Sequence, residues 1–461
     1  MRTAATTALL VLALGATALP MTSAFLRPAG LPHCVPGRAI VCRPVARHSS
    51  GGLRLTSSSA LSDAETYDAL ARWLHGTGGH VHPAVQFTTD DLGGGRGLQT
   101  SRDVKEGERL VVLPEKAQLF YKNSQDADQA LLAVIETVNP SLWGMRLGLR
   151  LLQEKVKSET SFFSEYLNNL PTSYDGMPAY YTAQETQALQ FPDVQRQAAG
   201  RLAQLTQLAA TCQRIRGSAA DPFAGADIDL GALTWATASV SSRAYRVRGQ
   251  PGQRGGHLAS LLPIADLINH SFDANCVLDD AAAIAGAGAV AVTTCRAIPA
   301  GEPLRINYGE MSSDQLLLSY GFVVPDNPFD TVQLPAGALS YALQEVALED
   351  GEHDPPISDI EAEQLAEAQM RLLQDAQLTD VSTVTLLASG ALAPEAMALV
   401  RVLALRSPQE AAGVTRETLL APLEDAVIEA RARLVVKRLS MLALDELPTS
   451  VADDVALLEG G

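Results

Sequence analysis

Two groups of short β-type runs, separated by a long helical stretch, restrict the fold of this chain more than any other feature of its sequence. The first group lies in VQFTTDDLGGGRGLQTSRDVKEGERLVVLP, from Val85 to Pro114. The second lies between His257 and Asp330 and contains SLLPIADLI, AVAVTTC and EPLRINYG. Apolar and β-branched runs bounded by glycine are typical of short paired strands. The sequence therefore predicts strands on both sides of a helical insertion of about 120 residues.

Helical periodicity fills the insertion and both ends of the mature chain. The insertion contains DQALLAVIETV, WGMRLGLRLLQEKV and VQRQAAGRLAQLTQLAATCQRI, and AETYDALARWL precedes the first strands after a cap at Ser62 or Asp63. Beyond about Pro335 the chain is acidic and helical, in SDIEAEQLAEAQMRLLQDAQL with Ser358 as its cap, APEAMALVRVLAL and ETLLAPLEDAVIEARARLVVKRLSML. These elements predict an α+β fold of short β-sheets with a helical insertion, followed by an all-α C-terminal domain.

The N-terminal segment has the composition of a targeting sequence. No Asp or Glu precedes Asp63, and an apolar run of 12 residues, Ala8–Leu19, follows Arg2. With the small-residue site at Ala24 this is a signal-peptide pattern, and the run is too short to span about 30 Å of hydrocarbon. The Arg-, Ser- and Pro-rich stretch after Phe25 is typical of a transit peptide.

The two segments together resemble the bipartite presequence of algae with complex plastids. We therefore expect a signal peptide at residues 1–24, a transit-peptide-like segment at 25–62 and a plastid stromal location. Simple secretion is the alternative.

Charge and cysteine content exclude several classes of function. The formal net charge of −17 argues against nucleic acid or a membrane surface as a partner, because phosphate binding needs clustered Lys and Arg. No second stretch is apolar enough to span a membrane, so we expect a soluble protein and a monomer. Outside the presequence only Cys212, Cys276 and Cys295 remain, without a CxxC pair, so neither a disulfide framework nor a Cys-rich zinc site is predicted.

The stretch PIADLINHS, which starts at Pro263, permits three interpretations. Asn269-His270-Ser271 is a glycosylation sequon, and Asp266 and His270 have the spacing of two metal ligands on one helical face. The apolar residues before it predict that Asn269 is buried, where a glycan does not fit, and a third metal ligand is missing. We therefore expect no metal and a turn after a buried strand, with its polar groups directed at a ligand.

Three more segments are candidates for binding or chemistry. Gly93–Gly97 is neither a P-loop nor a dinucleotide fingerprint, because no Gly-Lys-Ser/Thr follows and the next signals predict strands. Tyr308 and Tyr320 each end an apolar run just before a glycine, and Arg243 lies in SSRAYRVR. Taken singly, these features also suit a hairpin turn, two buried tyrosines and a surface arginine.

In combination these segments resemble the SET-domain methyltransferases. GGGRGLQTSRDVKEGERLVVLP, SSRAYRVR, PIADLINHS and GEPLRINYGEMSSDQLLLSYGF occur in the order and spacing of the Rubisco large-subunit lysine methyltransferase branch. SGALAPEAMALVRVLALRSPQEA is similar to the helical substrate-binding domain of that branch. The resemblance implies a SET domain at residues 63–330, with a helical insertion at about 120–242, and a helical substrate-binding domain at 331–461. Ser313 departs from the pattern, which usually has an asparagine there.

The resemblance also implies an activity and a set of site residues. It implies S-adenosylmethionine-dependent methylation of lysine in a non-histone protein. The Rubisco large subunit and plastid aldolase are known kinds of target in that family. Tyr308 would be catalytic and would also bind substrate, and Asp266 would lie near the target side chain or brace the turn. The implied cofactor-binding residues are Gly94, Gly95, Arg96, Arg243, Asn269, His270 and Tyr320. The alternatives are a protein-histidine methyltransferase and an inactive SET module that acts as a protein-binding scaffold.

Overall fold

A computed structural model of the protein describes residues 62–91, 95–121, 128–248, 257–350, 357–378, 383–445 and 447–459. The predicted signal peptide and nearly all of the transit-peptide-like segment lie outside these residues. The described chain divides into two compact units, and the main division falls between Asp326 and Asn327. Residues 190–193 group with the second unit.

The first unit contains the helices of the insertion and one helix before the strands. They are α1 (Asp63–Gly76), α2 (Gln129–Glu136), α3 (Trp143–Lys157), α4 (Ser164–Asn169), α5 (Ala183–Ala188), α6 (Pro192–Ile215), α7 (Leu230–Arg243), α8 (Ala282–Ala285) and α9 (Ser313–Tyr320). The predicted cap of α1 is confirmed at Ser62, whose hydroxyl accepts from the Glu65 amide while the Glu65 carboxylate accepts from the Ser62 amide. The three helices predicted from periodicity in the insertion are present as α2, α3 and α6.

Within the described residues, ten strands form the sheets of this unit. They are β1 (His80–Val81), β2 (Val85–Asp91), β3 (Gly95–Thr100), β4 (Arg109–Leu113), β5 (Ala244–Arg248), β6 (His257–Leu261), β7 (Asn269–His270), β8 (Cys276–Asp280), β9 (Val290–Thr294) and β10 (Arg305–Ile306). Six of them make one sheet in the order β1-β4-β9-β8-β10-β7, while β2 pairs with β3 and β5 with β6. Strands from both sides of the insertion therefore meet in one sheet.

Strand β10 lies between β7 and β8 and runs parallel to both. The chain that joins β7 to β8 is only residues 271–275, so it must pass over β10. The Ser271 amide donates to the Ile306 carbonyl and the Asn275 amide to the Arg305 carbonyl, both at 3.2 Å. The last strand of the unit is thus inserted between two strands that precede it in sequence.

One hydrophobic core holds the strands and the insertion together. Buried side chains from β4 (Leu110), α3 (Leu149), α7 (Leu233) and the segment before β10 (Leu304) belong to the same cluster. Helix α3 packs along α7. The insertion is therefore part of the core of this unit, because its apolar face is buried against the sheets.

The apolar run SLLPIADLI is a strand only as far as Leu261. Pro263 has no amide hydrogen to continue a ladder, and Ile264 has φ +73° and ψ −51°. A positive φ is unusual for a β-branched residue because its Cβ crowds the backbone. Residues Ala265–Leu267 then form a 3-10 helix that leads directly into β7.

The second unit is mainly helical and also contains a small sheet. Its elements are β11 (Thr331–Pro335), α10 (Ala336–Asp350), α11 (Asp359–Asp375), β12 (Thr383–Leu387), α12 (Pro394–Leu403), α13 (Pro408–Ala411), α14 (Arg416–Leu419), α15 (Ala426–Asp445) and α16 (Val451–Glu459). β11 and β12 pair antiparallel. The prediction of an all-α second domain was therefore incomplete, because the β-branched runs TVQL and TVTLL form strands.

The C-terminal helical prediction needs one further correction. The stretch ETLLAPLEDAVIEARARLVVKRLSML forms two helices, α14 and α15, with Pro422 between them. A proline cannot donate the helical hydrogen bond and disfavours helix at the preceding residue. The predicted cap at Ser358 is confirmed by a capping box with Glu361.

Candidate active site

Three of the sequence motifs meet at the end of the six-stranded sheet. The Asn269 side-chain amide donates to the Arg96 carbonyl of β3 at 2.9 Å. Asn269 and His270 pair with Arg305 and Ile306, two residues before Tyr308. The glycine-rich segment, PIADLINHS and RINYG therefore come together as the motifs suggested. Gly94 lies outside the described residues, and Gly95 is the exposed first residue of β3.

Asn269 and His270 differ in exposure. Asn269 is half-buried, which is less than the burial predicted for it. His270 is buried, and its Nδ1 accepts a hydrogen bond from the Tyr308 amide at 3.1 Å. A neutral imidazole that accepts at Nδ1 carries its proton on Nε2. Among the described residues, no group of three or more His, Cys, Asp or Glu side chains is arranged to hold a metal ion.

Tyr308 is buried, and its hydroxyl has a defined orientation. The hydroxyl donates to the Ile268 carbonyl at 2.7 Å, so the phenol is in its protonated form. The ring lies 5.0 Å from that of Tyr320 and 5.1 Å from that of His270. A phenol oxygen that donates its proton keeps lone pairs with which it can accept a hydrogen bond.

Aromatic rings line this part of the unit. Consecutive ring centroids lie 4.6 to 5.9 Å apart in a cluster formed by His270, Phe272, Tyr308, Tyr320 and Phe322. The faces of aromatic rings carry negative potential and attract cations. The cluster is therefore a suitable wall for a positively charged group.

Two arginines and a buried carboxylate lie near one another in this unit. Arg243, the last residue of α7, is 3.6 Å from the Asp266 carboxylate and donates to the Asp266 carbonyl at 3.1 Å. Burial alone would lower the pKa of the Arg243 guanidinium, but Tyr174, Asp266 and Tyr166 outweigh it and raise the pKa. Arg243 therefore stays charged. The Asp266 carboxylate therefore lies beside Arg243, and its role near the target side chain or in the turn stays a prediction.

Arg96 is the second arginine, and it is less tightly paired. Its Nη2 lies 3.4 Å from the Asn169 carbonyl oxygen and its Nε lies 3.8 Å from the Asp63 carboxylate. The guanidinium also lies 5.5 Å from the centroid of the Phe87 ring. Burial, in part offset by Asp63, lowers the pKa of Arg96. Arg96 and Arg243 lie close enough for their charges to interact, and their roles as cofactor contacts stay predictions.

Comparison with known proteins identifies the domain that holds this site. Residues 95–309 match the family model of the SET domain. The region around the site has the SET-domain fold. The solved SET domain of LSMT bound to lysine and AdoHcy has a TM-score of 0.62 at 19% identity, over 86% of this chain and 85% of that chain. The matched region begins at β3 and ends just after Tyr308.

Curated relatives carry the same domain. Protein SET DOMAIN GROUP 40 of Arabidopsis thaliana is 26% identical over 54% of this chain and 54% of that protein. Ribosomal lysine N-methyltransferase set11 of Schizosaccharomyces pombe is 22% identical over 59% of this chain and 65% of that protein. The chain thus spans about half to two thirds of the length of these relatives.

Sequence reasoning missed Asn275, whose side chain forms hydrogen bonds with the segment that enters β10 beside the site. This fully buried side chain donates to the Glu302 carboxylate at 3.0 Å and the Pro303 carbonyl at 2.9 Å, and it accepts from the Arg305 amide at 2.7 Å. It thereby fixes the segment that enters β10. Nothing in DANC indicates this role, because all three partners lie 27 to 30 residues further along the chain.

Helix α9 presents Tyr320 to the SET-domain site and ends at a glycine in close contact with the insertion. Gly321 has φ +79°, and a Cβ there would lie 2.9 Å from the backbone carbon of Gly176. Arg201 of α6 donates to the Leu318 carbonyl of α9 at 2.7 Å. Ser313 departs from the family pattern, and its hydroxyl donates to the Val324 carbonyl at 3.4 Å. The insertion therefore sets the position of the helix that ends at Tyr320.

We expect Gly321→Ala to destabilise the SET domain by more than the cost of its backbone conformation alone. Left-handed backbone costs a non-glycine residue about 1–2 kcal/mol, and the overlap with Gly176 adds to it. Gly107→Ala is the matched control, because Gly107 also has φ +79° and has no atom within 4 Å of its Cβ position. Urea unfolding of both variants measures the difference. Equal losses of stability would show that the contact with Gly176 contributes nothing.

Proposed function

We propose that this protein is an S-adenosylmethionine-dependent protein-lysine N-methyltransferase that acts on a non-histone protein of the plastid. The observation that carries the proposal is the buried Tyr308 hydroxyl, fixed by the Ile268 carbonyl within an aromatic wall. The proposal is supported by a solved neighbour that binds lysine and AdoHcy and by a relative named as a lysine methyltransferase.

The polar groups of the site fit the cofactor. The buried Nε of Arg243 and that of Arg96 make no hydrogen bond within the described part of the chain. The N–H groups of a guanidinium form a rigid, planar fork of donors that matches the two oxygens of a carboxylate. These two side chains would therefore hold the amino-acid end of the cofactor. The aromatic cluster would lie against its positive sulfur. When bound, S-adenosylmethionine supplies an electrophilic methyl group on that sulfur.

The same site explains how a lysine could react at neutral pH. Only the neutral amine has the lone pair for displacement, and a free lysine with a pKa of about 10.4 pays roughly 4.6 kcal/mol to be neutral at pH 7. Enclosure of the ammonium beside the positive sulfonium disfavours the charged form and so lowers its pKa. Tyr308 is not assigned as a tyrosinate base, because its hydroxyl donates to Ile268. Its oxygen accepts from the amine and orients the lone pair.

The substrate and location are the finer part of the proposal. The presequence pattern supports a plastid address, and the Rubisco large subunit and plastid aldolase are the kinds of target that the family resemblance implies. We infer a monomer that binds its protein substrate without nucleic acid or membrane. Among the described residues, no helix is long and apolar enough to cross a membrane.

Calorimetry with S-adenosylmethionine tests the proposal on the purified full chain. We expect saturable binding, weakened about tenfold or more in Asn269→Ala, since the Arg96 carbonyl then loses a hydrogen bond beside the site. Asn168→Ala, on the exposed face of α4, should bind as the unchanged protein does.

Labelled cofactor added to a stromal extract, followed by mass spectrometry of the labelled protein, identifies the substrate and the modified residue. We expect methyl groups on lysine. Methyl groups on histidine would support the alternative enzyme class, and absence of cofactor binding would refute the enzymatic proposal.

A further inference from the structure

Helix α4 of the insertion contacts the candidate site through two buried side chains. The Tyr166 hydroxyl donates to the Asp266 carboxylate at 2.7 Å. The Asn169 carbonyl oxygen lies 3.4 Å from Arg96, while its amide donates to the Thr66 carbonyl of α1 at 2.7 Å. One short helix therefore contacts Arg96 directly and Arg243 through its partner Asp266.

The contact at Tyr166 extends through Asp266 to Arg243. Burial, followed by the effect of Asp266, raises the pKa of Tyr166 well above its ordinary value, so the hydroxyl remains a donor. Asp266 has a side chain only 1% exposed, and its carboxylate lies between Tyr166 and Arg243. A buried carboxylate held by a donor on one side offers the arginine a fixed partner on the other. The Tyr166 hydroxyl and the Arg243 guanidinium therefore share one buried carboxylate.

A second tyrosine of the same core shows that this hydroxyl is not needed for packing alone. Tyr67 of α1 is also buried, and its hydroxyl makes no hydrogen bond within the described chain. The core therefore accommodates a buried tyrosine ring even when the hydroxyl makes no hydrogen bond. What distinguishes Tyr166 is the placement of its oxygen on the carboxylate that pairs with Arg243.

We propose that Tyr166, contributed by the helical insertion, is a positioning residue that acts through Asp266 to aim Arg243 at the carboxylate of the cofactor. The inference rests on the proposed function, because it takes S-adenosylmethionine as the ligand. It gives the insertion a part in cofactor binding in addition to its part in the core.

Tyr166→Phe removes the hydroxyl and keeps the ring. We expect the Kd and the KM for S-adenosylmethionine to rise about tenfold, in line with loss of a hydrogen bond to a charged group, while kcat at saturating cofactor changes less than about threefold. Tyr67→Phe is the matched control and should change neither constant. A variant with the affinity of Tyr67→Phe would overturn the inference.

A double-mutant cycle tests whether the effect passes through Arg243. In an Arg243→Lys background, which lacks the fork, Tyr166→Phe should weaken binding less than about threefold further. A full tenfold loss in that background would contradict the inference. If Tyr166→Phe does not fold, Asp266→Asn replaces it. Its side-chain amide oxygen still accepts from the Tyr166 hydroxyl, but the side chain no longer offers Arg243 a negative charge. Unchanged affinity for S-adenosylmethionine in that variant would also overturn the inference.

These outcomes are distinguishable from failure of the proposed function. A chain that unfolds cooperatively but binds no S-adenosylmethionine refutes the function itself. A chain that binds the cofactor with equal affinity in Tyr166→Phe and Tyr67→Phe leaves the function intact and refutes only the role of Tyr166.

Discussion

Tyr308→Phe should lower the rate of methyl transfer by about 10²-fold or more and leave cofactor affinity within a few fold. The substitution removes the hydroxyl that donates to the Ile268 carbonyl and keeps the ring beside Tyr320 and His270. Misplacement of a reacting group by about 1 Å can cost 10²-fold in rate, and the lysine amine would lose the acceptor that orients it. The expected change is therefore in kcat.

Single-turnover transfer from labelled S-adenosylmethionine, with calorimetric Kd measured on the same protein, separates the two quantities. Tyr67→Phe provides the same chemical change at a buried hydroxyl that makes no hydrogen bond within the described chain. Near-normal transfer by Tyr308→Phe would remove Tyr308 from the catalytic centre. A parallel loss of affinity and rate would instead place it among the cofactor contacts.

Asn275→Ala should lower the free energy of unfolding of the first unit by about 3–5 kcal/mol. Three hydrogen bonds disappear, and the Pro303 carbonyl and the Arg305 amide are left without this partner in a partly buried environment. Each buried group that loses its partner costs about 1–3 kcal/mol, and losses of this size are exceptional for a single substitution.

Urea unfolding monitored by tryptophan fluorescence measures the loss. Asn168→Ala is the control for the substitution itself, because Asn168 is exposed on α4 and should change stability by less than about 0.5 kcal/mol. If the two variants unfold at the same urea concentration, the side chain of Asn275 does not hold the segment that enters β10.

Local sequence patterns predicted most elements of the fold because their causes are local. Apolar spacing predicted α2, α3 and α6, and the caps at Ser62 and Ser358 followed from side chains within three residues. The run SLLPIADLI was less informative, because periodicity does not report the positive φ of Ile264 that ends the strand. Similarly, the TVTLL strand depends on pairing with a partner about 50 residues earlier.

The candidate site was predictable only as a set of motifs. The family resemblance selected Arg96, Arg243, Asn269, His270 and Tyr308, and the fold brings them together. Their supporting residues carried no local signal, because the role of Tyr166 depends on a partner 100 residues away and that of Asn275 on one up to 30 residues away. Such pairs arise only when the chain is folded.

The insertion of β10 between β7 and β8 has a consequence for the order in which the protein is made. Strands on either side of a third lie about 9–10 Å apart, so residues 271–275 form an arch that needs β10 beneath it. Until residues 305–308 leave the ribosome and dock, β7 and β8 have unpaired edges, and such non-local pairing is slow. Tyr308 arrives with that same segment. Closure of the sheet and placement of Tyr308 are therefore one event, and a chain that ends before residue 305 contains neither.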